Sequence, residues 1–186
     1  EVCIPHLYFS RDDYATKGTL IKCNPSIKEA SDRDALRQAL LDGYIDYVAT
    51  DHAPHPLEGK SNDYMTCPSG VPSVQHTLLV LLELVREGIY SLNDLPYYLS
   101  HKVADRFKII DRGYIREGYW ADCVLVDLER KYTVTKENTS YFCGWSPFEG
   151  DTFNSKVIST FVNGRHAYNE GKFLETNLGV QLEFNR

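Results

Sequence analysis

Tyr44-Ile45-Asp46-Tyr47-Val48-Ala49-Thr50 runs without a break into Asp51-His52-Ala53-Pro54-His55. The first seven residues are β-prone and short, the pattern of a buried parallel strand. The next five place one carboxylate and two imidazoles directly past its C-terminal end. Sites in α/β barrels and open α/β sheets are built there, because loops vary at that end while the strands stay rigid. A carboxylate in that position can ligate a metal and shuttle a proton, and the imidazoles can ligate metal or bind an anion. The competing reading is local: the D-x-x-x-H spacing is common, and these side chains can also serve only to cap a turn before Pro54.

Downstream of this segment a polar, Gly-containing loop reaches Ser73. Val74, Thr77, Leu78, Leu81, Leu82 and Val85 then form one stripe of an amphipathic helix ending near Gly88. Shorter helical pieces are expected over 91–99 and 101–107. Upstream, residues 1–9 read as a strand, 10–18 as a loop and 19–24 as a second extended run stopped by Pro25. A helix is expected to open at Ser31 or Asp32, to carry Ala35, Leu36, Ala39 and Leu40 on one face, and to stop at Gly43. The order strand, helix, strand, helix implies parallel strands joined by crossover helices, an α/β fold. Past Ile110 the character changes. Gly113, Gly118, Gly144, Gly150, Gly164 and Gly171 punctuate the β-prone runs 123–126, 132–134, 157–162 and 166–168, as in a small antiparallel sheet. A soft boundary near Ile110 gives units of 1–110 and 111–186.

Composition narrows the class. Over 186 residues, 42% are hydrophobic and 25% charged, which is enough for a packed core. A net charge of -6 without a basic patch argues against nucleic acid as a partner. Neither a membrane span nor a signal-type segment is expected, so the chain reads as cytoplasmic. Cys3, Cys23, Cys67, Cys123 and Cys143 are odd in number and form no C-x-x-C pair, so they read as reduced thiols in or near the core.

Several motifs in one order carry a family resemblance. Ala49-Thr50-Asp51-His52-Ala53-Pro54-His55 resembles the A-T-D-H-A-P-H signature of dihydroorotases in the amidohydrolase superfamily. Glu1-Val2-Cys3 with His6-Leu7 resembles the E-V-C-x-H-H-L strand of that family, Asn24-Pro25 its N-P-x-x-K segment, and Pro68-Ser69-Gly70 its substrate loop. Asp122 follows Gly118 and Ala121 as in G-x-x-A-D-L-V-L. Residues 144–150, GWSPFEG, with Thr160 and Val162-Asn163-Gly164 resemble the closing signatures.

This resemblance implies the C-terminal part of a TIM-like (β/α)8 barrel of a metal-dependent hydrolase, followed by a small β-rich unit of composite β-sandwich type. It implies zinc as cofactor, two ions in the complete enzyme. Asp51 inherits a metal contact and the role of general base and acid. His55 inherits the substrate carboxylate, Asn24 the pyrimidine ring, and the backbone of Ser69 and Gly70 the ring amide; His52 stands one step removed from the metal. The implied reaction is reversible hydrolysis of dihydroorotate to N-carbamoyl-aspartate. The matched motifs all belong to the end of the family pattern and the chain has no His-x-His, so it is expected to be a fragment, inactive alone and weak toward zinc. Open strand edges invite association, with a homodimer as one form. A hydantoinase, dihydropyrimidinase or allantoinase is the alternative within the superfamily, and a non-catalytic relative the alternative outside catalysis. Among the remaining residues, His6, His76 and His101 read as structural and His166 as exposed. Lys22, Lys28 and Lys60 read as surface lysines able to steer an acidic substrate, and Trp145 and Phe148 as packing anchors.

Overall fold

Two strands, β1 (Val2–Cys3) and β2 (Val48–Ala49), lie parallel with Val2 opposite Val48 and Cys3 opposite Ala49. This is how they stand in the computed structural model, which describes residues 1–175 and 177–185. Helix α1 (Ile4–Tyr8), helix α2 (Tyr14–Lys17) between two 3-10 turns, and helix α3 (Ala30–Leu41) fill the crossover. The parallel pair with intervening helices is the arrangement expected from the alternating pattern.

Local assignments differ in places, for identifiable reasons. The strand expected over residues 1–9 stops at Cys3, because Pro5 sits in the first turn of α1, where its fixed φ suits a helix and its missing N–H costs nothing. Ile4 and Leu7, three apart, then share the buried face. The run expected to be extended from Thr19 is instead a 3-10 turn, Gly18–Ile21, entered through Gly18 at φ +52°. Helix α3 starts one residue before Ser31. Its cap is Glu29, whose N–H donates to the Asp32 carboxylate at 3.1 Å. The β-prone run 44–50 forms a ladder only over Val48–Ala49, since β1 alone lies alongside and turns helical at Ile4.

Past β2 come α4 (Leu57–Lys60), α5 (Thr77–Arg86), α6 (Asp94–Pro96), a π-helical turn (Tyr97–His101) and α7 (Lys102–Phe107). The last three run on without a break, so the two helical pieces expected there are one. In α5, Leu79, Val80, Leu81, Leu82 and Leu84 are all buried, while Val74, expected to start its stripe, lies before the helix and is exposed. Being apolar on several faces, α5 is a core helix and not a half-exposed one.

The late segment holds β3 (Cys123–Asp127), β4 (Tyr132–Thr133), β5 (Thr152–Phe153), β6 (Lys156–Val162), β7 (Arg165–Asn169) and β8 (Lys172–Phe173). They form an antiparallel sheet in the order β3-β6-β7-β8 and a separate β4-β5 pair. Asn163-Gly164, both at positive φ, make the two-residue turn from β6 to β7. Aromatic contacts join the late segment to the first helix: Phe148 stacks on Phe9 at 5.3 Å and packs beside Tyr8 and Phe153. Lys17 Nζ adds a donor to Pro147 O at 2.8 Å and an ion pair with Asp151. Trp145 and Phe148 thus occupy the packing positions expected of them. His166, expected to be exposed, is half-buried and stacked on Phe161 at 4.6 Å.

Candidate active site

Asp51 leaves the end of β2 at φ +46°, in the left-handed region that Asp tolerates better than most residues with a Cβ. The turn there swings its carboxylate out to the exposed side. The chain then runs beside the segment around Val71: His52 bridges to Val71 in parallel fashion and Ala53 N–H donates to Val71 O at 3.0 Å.

Backbone donors fix the tautomer of His52. Ser73 N–H donates to His52 Nδ1 at 3.0 Å, and an N–H can only donate, so Nδ1 is unprotonated and the ring proton sits on Nε2. The imidazole is thereby an Nε2–H donor, and neither nitrogen has a lone pair left for a metal. Partial burial pushes its pKa below the ordinary value, and protonation would set a second N–H against Ser73. Ser73 completes the brace by donating its hydroxyl to Thr50 O.

His55 is fixed in the opposite sense. Its Nε2 lies 3.0 Å from Ser69 O, and a carbonyl only accepts, so Nε2 carries the proton and Nδ1 remains for another partner. From behind, Trp145 Nε1 donates to His55 O at 2.8 Å. Gly70 is needed beside it, since at φ +127° an added Cβ would lie 2.4 Å from Ala53 Cβ. Gly70 N–H in turn donates to Lys22 O at 2.8 Å, which draws the segment leading to Asn24 against the Ser69-Gly70 loop. Asn24 is exposed, and the next residue, Pro25, accepts from His6 Nε2 at 2.8 Å, the hydrogen-bonding role expected of His6. One rim therefore carries His55, Ser69, Gly70 and the Lys22–Asn24 segment, and the turn that Asp51 opens leads into it.

Sequence reasoning misplaced Lys60. It is a fully buried side chain, not a surface one, and its ammonium donates to Lys22 O at 3.2 Å and to Pro68 O and Gly70 O at 3.0 Å each. Burial lowers its pKa. Lys22 is likewise occupied, its ammonium capping Tyr64 O and, at 2.7 Å, Cys67 O. Neither is free to steer a substrate. A lysine in a polar loop carries no periodicity that would have signalled burial.

A second buried group stands behind the rim. His76, which precedes α5, is 0% exposed, with Nδ1 3.1 Å from Tyr141 Oη. Gln75 N–H donates to that same oxygen at 2.9 Å, and Ser146 Oγ lies 3.3 Å from the same Nδ1. Burial pushes the imidazole pKa down to about 4, so it is neutral at pH 7. The Tyr141 ring also packs on His52, 5.2 Å between centroids. Nearer Asp51, burial and then the Asp51 charge push the Cys3 thiol up to about 11. Burial foremost, opposed by Lys60 and aided by Asp51, takes Cys23 to about 12. All five cysteines are free thiols, and these two are unreactive ones.

Among the described residues no cluster of three or more His, Cys, Asp or Glu side chains is placed to hold a metal ion. Asp51 is one outward carboxylate, and a zinc site takes about four ligands, so the donors of this chain do not by themselves fit a metal. Also among the described residues, no helix is long and apolar enough to cross a membrane.

Residues 4–167 match the model of the amidohydrolase family. Dihydroorotase from Clostridium acetobutylicum is 36% identical over 166 residues, covering 89% of this chain and 39% of that protein. Allantoinase from Desulfitobacterium hafniense is 32% identical over 178 residues, covering 95% and 40%. The L-hydantoinase (dihydropyrimidinase) structure from Arthrobacter aurescens superposes with a TM-score of 0.86 at 26% identity, covering 93% of this chain and 40% of that one. The chain thus spans about two fifths of the length of these relatives. A match across 164 residues, with the Asp51-to-His55 turn, the Ser69-Gly70 loop and the Trp145 brace all inside it, means that this chain belongs to the amidohydrolase family.

Proposed function

We propose that this chain is the C-terminal portion of a dihydroorotase, which hydrolyses the ring amide of dihydroorotate to N-carbamoyl-aspartate and also runs in reverse. The observation that supports the reading is the hydrogen-bonded junction of His55, Ser69 and Gly70 with the Lys22–Asn24 segment, just past the turn that Asp51 opens. Dihydroorotases recur among the relatives at 31–39% identity. In this reading residues 1–110 are part of a (β/α)8 barrel and 111–186 a β-rich unit of sandwich type.

The family implies a metal cofactor; we assign zinc, two ions, with Asp51 as the ligand this chain contributes and the others supplied from outside it. Hydrolysis forms a bond from the water oxygen to the amide carbon and breaks the bond from that carbon to the ring nitrogen. Asp51 takes the proton of the attacking water and returns it to the departing nitrogen. Because its turn is fixed by the His52–Val71 bridge and the Ser73 brace, the carboxylate needs little reorganisation. With Nε2 spent on Ser69 O, His55 offers Nδ1 to the substrate, and only a ring protonated on both nitrogens can donate to a carboxylate there. Asn24 faces the ring, and the second lone pairs of the Ser69 and Gly70 carbonyls accept from its amide N–H, since Gly70 N–H is given to Lys22 O.

Allantoinase and L-hydantoinase relatives support a second reading, a hydrolase of uncharged cyclic ureides. Zinc content and turnover of dihydroorotate against hydantoin, on the complete protein and its Asp51→Ala variant, separate the two. About two zinc ions per chain and dihydroorotate turnover that vanishes in the variant support the first. Turnover of hydantoin alone supports the second, and neither metal nor turnover overturns both.

A further inference from the structure

Lys60 is a buried cation that the chemistry above does not use. Its side chain is fully enclosed, and among the described residues no carboxylate forms an ion pair with it. An ammonium taken out of water without a counter-charge is costly, and it persists only where other groups replace the lost solvent. Three do so here: the carbonyls of Lys22, Pro68 and Gly70, one for each ammonium proton. Two of these acceptors flank Ser69, and the third lies two residues before Asn24. Lys22 O is shared, accepting also from Gly70 N–H at 2.8 Å, so both of its lone pairs go to the same junction. Thr19 Oγ1 closes the arrangement by donating to Lys60 O. No neutral side chain brings three donors to one point, and the planar fork of Arg does not converge that way.

We propose that Lys60 is a positioning residue, whose ammonium clamps the Ser69-Gly70 loop to the Lys22–Asn24 segment so that both substrate-contacting segments are held in one geometry before substrate arrives. The inference rests on the dihydroorotase reading for what is being positioned, and on the hydrogen bonds alone for the clamp. Without the ammonium, Pro68 O and Gly70 O lose their donor, and the loop that carries Ser69 is free to separate from Lys22.

The test uses the complete enzyme with Lys60→Met and, as a change that keeps the charge but not the convergence of three donors, Lys60→Arg. Amide hydrogen exchange reads the clamp, and KM and kcat for dihydroorotate read its use. In Lys60→Met, Gly70 N–H is expected to exchange about tenfold faster or more while Leu81 and Leu84 in the core helix keep their wild-type rates. KM is expected to rise about 10- to 100-fold with a smaller change in kcat, as for lost substrate positioning. Unchanged exchange at Gly70 overturns the clamp, and faster exchange with unchanged KM overturns its positioning role. If Lys60→Met loosens Leu81 and Leu84 as well, the same two readings on Lys60→Arg decide. A wild-type enzyme inactive on dihydroorotate removes the functional reading, and the clamp then stands or falls on exchange at Gly70.

Discussion

The indole N–H of Trp145 donates to the carbonyl oxygen of His55 at 2.8 Å, across 90 residues of chain. The late Gly-Trp-Ser-Pro-Phe segment thereby braces the turn that carries the candidate site, and Trp145 itself is 2% exposed.

Replacing Trp145 with Phe keeps most of the packing and removes that donor. The expected loss is about 1–3 kcal/mol of stability, combining an unpaired carbonyl with a smaller ring. Urea unfolding measures it. Equal midpoints for variant and wild type would show that the indole contributes bulk alone.

Asp51 separates chemistry from folding. Asn accepts the left-handed backbone about as well as Asp, whereas Ala there carries a strain of about 1 kcal/mol. Asp51→Asn is expected to melt with the wild type and to lose about 10²–10⁴-fold in hydrolysis, while Asp51→Ala melts lower. A calorimetric scan beside a turnover assay checks both, and an active Asp51→Asn enzyme would refute the proton-transfer role.

At Gly70 an added methyl meets Ala53 Cβ at 2.4 Å in a backbone region closed to side chains. Gly70→Ala is expected to cost about 2 kcal/mol or more, with the strain falling on the His55 loop. The melting temperature gives the cost. A shift below 1 °C would show that the loop relaxes freely.

Acid sensitivity follows from His76. Its folded pKa of about 4 lies below the ordinary 6.5, so below pH 6.5 the unfolded chain takes up a proton that the fold refuses. The stability it contributes is complete above pH 6.5 and is lost progressively as pH falls toward 4, up to about 3 kcal/mol in all. His76→Gln removes this component, so its stability between pH 7 and 4 should fall less steeply than that of the wild type. Parallel curves in denaturant titrations would contradict the assignment.

Much of the framework was legible in the sequence. Glycines at 43, 88 and 164 mark real reversals at positive φ, the alternation of strand and helix gave the parallel pair, and the late β-prone runs found their antiparallel partners. One misreading has a plain cause. In residues 1–9 an apolar run fits either period, and only the place of Pro5 in a first turn tips it to helix.

For the candidate site the division is similar. Residue identities and order by themselves determined which loops carry polar chemistry, because a carboxylate and two imidazoles past a strand end form a local pattern. Tertiary structure alone decided what each group can do. The tautomers of His52 and His55 are set by Ser73 N–H and Ser69 O, 21 and 14 residues away. The burial of Lys60 depends on three carbonyls that backbone folding gathers from two segments. Hydrogen-bond direction and desolvation belong to the assembled surroundings, and no single segment of the chain contains them.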